Sequence, residues 1–169
     1  MPGFFGNTGA YRLIAEGTLT SGSDIDLPLN KDSDYQLEFN VEMAAANYIY
    51  GRFNNNSGYG YRNNGVYRSY SIGDSILKHV SGAESSINTT CAGFTTLKQS
   101  TRLHLPKSID SAGEERMYVG QSSLYKNANE FGCYNFGGSM DLGSEITYIK
   151  ILSIGSTFVK MFYRLCLVI

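Results

Sequence analysis

Residues 34–43 read DYQLEFNVEM, and every second side chain is apolar. Tyr35, Leu37, Phe39, Val41 and Met43 fall in one row, and Asp34, Gln36, Glu38, Asn40 and Glu42 in the other. Side chains of an extended chain alternate between faces, so a period of two predicts a β-strand with one face in a core. One such strand cannot offset the entropy of ordering its own backbone. A second layer with its own apolar face is required, which predicts a sandwich over a single open sheet.

The end of the chain, FVKMFYRLCLVI (158–169), repeats the alternation. Val159, Met161, Tyr163, Leu165, Leu167 and Ile169 form an apolar row; Phe158, Lys160, Phe162, Arg164, Cys166 and Val168 form a mixed one. The pattern predicts a strand in the middle of a sheet or at a seam between subunits. The preceding EITYIKILSI (145–154) is joined to it by Gly155 and Ser156, which predicts a two-residue hairpin. Similar alternation starts at Tyr11, with Leu13, Ala15, Gly17 and Leu19 on the same side.

Further strands are expected in 47–53, 65–72, 89–97, 101–106, 115–120 and 130–137, with turns in 54–60, 62–65, 81–86, 110–114 and 135–144. Helix is confined to at most a short turn in 23–34 or 122–131. The fold class expected is all-β: an antiparallel, jelly-roll-like β-sandwich of about ten strands. Residues 1–10 read as an N-terminal arm, with Phe4 and Phe5 as a docking pair, and 11–169 as a single domain.

Tyr (13) and Phe (9) are plentiful, as suits pleated, half-buried surfaces. With 19 Gly and only 3 Pro, loops turn on Gly, Asn and Ser. A net charge of −1 supplies no field for nucleic acid or acidic lipid, so neither is an expected partner. The opening MPGFFGNTGA lacks the basic and long apolar parts of a signal peptide, and the last strand falls short of the ~20 apolar residues a membrane helix needs. A protein made in a cytoplasm is expected.

Catalytic signatures are missing: there is no G-x-S-x-G elbow, phosphate-binding loop or calcium loop. His79 and His104, the two histidines, have no partner at ligand spacing. Glu114, Glu115, Glu130, Asp141 and Glu145 form no evident glycosidase pair. No enzyme activity, metal or cofactor is expected. Cys91, Cys133 and Cys166 lack CxxC spacing, so they read as free thiols, with an intersubunit bridge as the alternative.

The segment 47–70 stands out for Tyr48, Tyr50, Arg52, Tyr59, Tyr61, Arg62, Tyr67 and Arg68 around an Asn/Gly-rich centre. Tyr and Arg give large contact areas and directed hydrogen bonds, so these residues are candidates for a protein interface, a plain hairpin or a glycan contact.

Two stretches, YRLIAEGTLTSGSDIDLPL followed by DYQLEFNV, and SEITYIKILSIGSTFVKMFYRL, resemble the opening and closing hairpin of a β-sandwich module of tailed-bacteriophage structural proteins. The resemblance covers about a third of the chain. It implies a non-enzymatic virion component of decoration, collar or fibre type, assembled as a homotrimer and attached to capsid, collar or tail proteins. It carries over no catalytic residue. A carbohydrate- or receptor-binding module using segment 47–70 is the alternative reading.

Overall fold

The structure is a computed structural model and describes residues 10–58, 60–71, 74–90 and 95–169. Twelve strands run in chain order among the described residues: β1 (Tyr11–Leu19), β2 (Asp24–Pro28), β3 (Tyr35–Asn47), β4 (Ile49–Phe53), β5 (Tyr61–Ser71), β6 (Asp74–Glu84), β7 (Ile87–Asn88), β8 (Thr96–Leu105), β9 (Glu115–Asn127), β10 (Glu130–Asp141), β11 (Tyr148–Ser153) and β12 (Phe158–Val168). The larger sheet has the order β1-β12-β3-β8-β9-β10-β5-β6, the smaller β2-β11-β4-β7.

All pairings are antiparallel, and four of them are nested: β1 with β12, β2 with β11, β3 with β8, β4 with β7. A long double-stranded ribbon has thus been wound between two sheets, which is a jelly roll. Two hairpins are inserted into it. β5–β6 lies between β4 and β7, β9–β10 between β8 and β11, and β10 pairs with β5. Together they extend the larger sheet four strands beyond β8.

The inward row of β3 is buried from Tyr35 to Met43, as its alternation requires. Facing it, Ile49, Phe53, Ile149 and Ile151 of the smaller sheet complete the core. Phe53 bridges the layers, with its ring centroid 6.2 Å from Tyr61 and 6.4 Å from Tyr118. A buried polar network also joins the layers. Gln99 donates to Thr89 O (3.1 Å) and Thr101 Oγ1 (2.8 Å) and accepts from Thr90 Oγ1 (2.6 Å), while Ser122 Oγ donates to Thr89 O (2.6 Å). Each buried polar atom so partnered avoids the cost of desolvation without a bond.

Several sequence expectations are corrected. β11 and β12 are not a hairpin: the chain crosses from one sheet to the other through residues 154–157, with Gly155 at φ 85°. β12 does lie inside its sheet, but Val159 is an extra residue in a β-bulge. Phe158, not Val159, therefore enters the core. A second bulge, at Ile14, turns Tyr11 and Leu13 outward while Ala15, Gly17 and Leu19 stay half-buried. Residues 62–65 and 135–141 are strand rather than turn, and 122–127 is strand rather than helix. Thr89 and Thr90 lie outside the strands, and Cys91 to Phe94 lie outside the described residues.

At one end of the sandwich, Arg116 is fully buried. Its Nε donates to Pro106 O at 2.7 Å, and its terminal nitrogens donate to the carbonyls of Asn30 and Ser33. Burial pushes its pKa down to about 10, so it stays charged at neutral pH. Asp110 closes the neighbouring loop, accepting from the backbone N–H groups of Glu114 and Glu115, both at 3.0 Å. These bonds, that from Glu115 foremost, hold the Asp110 carboxyl below the ordinary carboxylate range. Asp24 is held down likewise, chiefly by the hydrogen bond from Lys150. For such depressed acids the stabilising contribution is complete above the unfolded-state value and is lost as pH falls through the folded one. Urea midpoints are therefore expected to drop below pH ~4, with a smaller drop in Asp110→Asn; an identical acid profile in that variant would refute the role of the loop.

Candidate functional site

The outer face of the larger sheet carries registered rows of side chains across the strands. One row runs Glu16, Arg164, Glu38, Arg102, alternating in sign. Arg102 Nε meets Glu38 Oε1 at 2.8 Å and Arg164 Nε meets Glu16 Oε2 at 3.3 Å. The next row is Phe162, Asn40, Ser100, Ser123, Cys133, and the one after it Lys160, Glu42, Lys98, Tyr125, Phe131. These last two rows line a groove of about 780 Å³, within the range of small-molecule sites.

The groove's lining is mostly apolar, with the neutral polar side chains of Asn40, Ser100 and Ser123 set between its aromatic rings. Phe162, Tyr125 and Phe131 are 36%, 40% and 48% exposed, enough to offer ring surface to a ligand. Arg164 lies over the Phe162 ring at 5.9 Å and steadies it from one side. Lys98 Nζ is paired with Glu42 Oε1 at 3.3 Å. The side chains of Asn40, Ser100 and Ser123 make no hydrogen bond among the described residues.

The segment 47–70 does not form one surface. β4 and β5 belong to different sheets, and the turn between them, with Asn54 and Asn55 at φ 48° and 55°, crosses the sandwich. Tyr48, Tyr50 and Arg52 come together on the outside of the smaller sheet, the two rings 6.1 Å apart, beside Glu84. Burial raises the Tyr50 pKa, with Tyr48 and Glu84 adding to the effect. Tyr61 and Tyr67 point inward and are 0% and 3% exposed, so they are core residues and offer no contact surface. The Tyr61 hydroxyl accepts from Phe53 N at 2.7 Å. Arg62 and Arg68 are exposed on the outside of the larger sheet. Tyr59, with Phe4 and Phe5, lies outside the described residues.

Cys133 and Cys166 are free and half-buried, and burial raises the Cys166 thiol pKa. They sit on β10 and β12, separated by three strands. Four inter-strand steps are about 19 Å, too far for a bridge within one chain. Cys91 lies outside the described residues. Among the described residues no group of three or more His, Cys, Asp or Glu has metal-site geometry.

An apolar patch marks the β1 edge of the larger sheet. Tyr11, Leu13 and Ile14 are 49%, 48% and 38% exposed, and Ile169, whose N–H bonds to Ala10 O at 2.8 Å, is 71% exposed beside them. The groove and this edge went unnoticed in the sequence. Part of the groove, Asn40, Glu42, Lys160 and Phe162, is written in the outward phases of β3 and β12; the rest depends on which strands become their neighbours. No family model matches the chain, and no curated protein matches it.

Proposed function

We propose that the chain is a non-enzymatic structural protein of a bacteriophage particle, a decoration, collar or fibre component that works as a homo-oligomer. One observation carries this reading: where the phage-like segments lie in the fold. Residues 11–29 and 34–41 supply β1, β2 and the first half of β3; residues 144–165 supply β11 and most of β12. β12 lies between β1 and β3, and β11 lies beside β2. Segments from opposite ends of the sequence therefore make one continuous block of the jelly roll. The unmatched middle supplies the two inserted hairpins, the part of a scaffold most free to vary with the partner.

The apolar edge supports association. An edge strand with exposed apolar side chains is a liability in a lone molecule and a contact surface in an assembly. The bulge at Ile14 interrupts the ladder, so contact through side chains fits this edge better than addition of a foreign strand. Native mass spectrometry is expected to give a homo-oligomer, with three copies the number implied by the phage module. Leu13→Asp combined with Ile14→Asp is expected to yield monomers, with the unfolding midpoint shifted by no more than surface changes cause, about 0.5 kcal/mol. A monomeric wild-type protein at micromolar concentration would count against assembly. Antibodies that fail to label any purified phage particle from the source would count against the virion.

A further inference from the structure

We infer that the groove on the outer face of the larger sheet is a binding site for an oligosaccharide, a function beyond scaffolding. Sugar rings present two unlike surfaces, C–H faces that pack on aromatic rings and hydroxyls that both donate and accept hydrogen bonds. The groove offers both kinds of partner, rings toward its two ends and neutral polar side chains between them. Phe162 stands at one end of its row and Tyr125 toward the far end of the adjoining row, three inter-strand steps, or about 14 Å, across the sheet. That spacing suits a chain of a few sugar units rather than a single ring.

Between them lie Asn40, Ser100 and Ser123, directly opposite one another on β3, β8 and β9. Asn40 brings a donor and an acceptor, and each serine brings both in one hydroxyl. All three are exposed, and none is engaged among the described residues, so no internal bond has to break before a ligand is bound.

The same features argue against other occupants. An extended peptide bound by strand addition needs a free sheet edge, whereas the floor strands β3, β8 and β9 are paired on both sides. A second copy pressed against this face would bury three polar side chains that then need partners. Lys98 and Glu42 pair with each other, which leaves the single charge of Lys160 in the groove, so long-range charge attraction is not the basis of binding.

The test is a microarray of neutral and acidic oligosaccharides probed with the full chain, followed by calorimetric titration of the best ligand. Phe162→Ala and Tyr125→Ala are each expected to weaken binding at least tenfold, and Asn40→Ala severalfold, with unfolding midpoints close to wild type. Cys133 lines the same groove, so in a Cys91→Ser/Cys166→Ser background the bound sugar is expected to slow its alkylation. An array without binding, or a bound glycan whose affinity ignores all three substitutions, would overturn the inference. So would a change in oligomer mass caused by Phe162→Ala, which would make the groove a protein contact. A wild-type protein that binds sugar but stays monomeric at micromolar concentration would instead count against the particle reading alone.

Discussion

Gly138→Ala is expected to cost at least ~3 kcal/mol, the upper part of the range for overpacking, and to leave the extended sheet unable to form. Gly138 lies in β10 between Tyr118 of β9 and Asn63 of β5. A Cβ at this position would overlap the carbonyl oxygen of Arg62 and stand 2.6 Å from the Tyr118 hydroxyl. Neither group can withdraw cheaply. The Arg62 carbonyl belongs to the backbone of a strand paired on both sides, and the Tyr118 hydroxyl donates to Asn63 Oδ1 at 2.6 Å. Gly82→Ala is the control, since among the described residues its Cβ would meet only Glu84 Oε1, at 3.8 Å. Urea denaturation should place the control within about 0.5 kcal/mol of wild type. Equal effects of the two substitutions would show that close approach at Gly138 is not what excludes a side chain.

The second large effect is expected at Arg116. Replacement by Met keeps much of the volume but strips hydrogen bonds from the carbonyls of Pro106, Asn30 and Ser33. Bonds to a charged donor contribute ~1.5–3 kcal/mol each, and a carbonyl left unsatisfied in the interior costs ~1–3 kcal/mol. The losses overlap, so about 4 kcal/mol is expected in chemical denaturation. Arg116→Lys should recover only a minor part, because one ammonium cannot reach three carbonyls on two separate loops as a planar fork does. The Tyr35 ring, 5.5 Å from the guanidinium carbon, also loses its stacking partner. Full recovery with Lys would show that charge, not the fork, holds the loops.

Both residues expose the same weakness of sequence reading. Gly138 reads as turn material because glycine favours turns, yet it sits inside β10. There glycine answers a close approach by neighbouring strands, a fact absent from the local pattern. Gly120 behaves likewise: the space its side chain would fill is taken by the Phe136 ring, 2.5 Å from where a Cβ would lie. Arg116 sits in the strand ERMYVG at an inward position, where a charged residue breaks the alternation rule. Its burial becomes intelligible only when the carbonyls of two remote loops converge on it.

For the candidate site the division is similar. The outward phase of β3 and β12 was readable, so Asn40, Glu42, Lys160 and Phe162 could be placed on a surface. Their meeting with Ser100, Ser123, Tyr125 and Cys133 depends on strand order, which alternation does not encode. The Tyr/Arg segment failed as a single surface for the opposite reason. Its residues are close in sequence, but a sheet-to-sheet crossing at residues 54–60 and the period of β5 send them to three places.

By itself, the sequence determined that this chain forms strands, which face of β3 is buried, and that two layers must close on each other. Those properties follow from the two-residue repeat of an extended backbone and from the entropy that a single layer cannot repay. Tertiary structure alone decided that β11 and β12 part company into different sheets, that bulges at Ile14 and Val159 reverse the facing of their neighbours, and that the inserted hairpins widen one sheet into a grooved face. Register and strand order arise from contacts between residues far apart in the chain, where packing selects among pairings that local alternation leaves equal in energy.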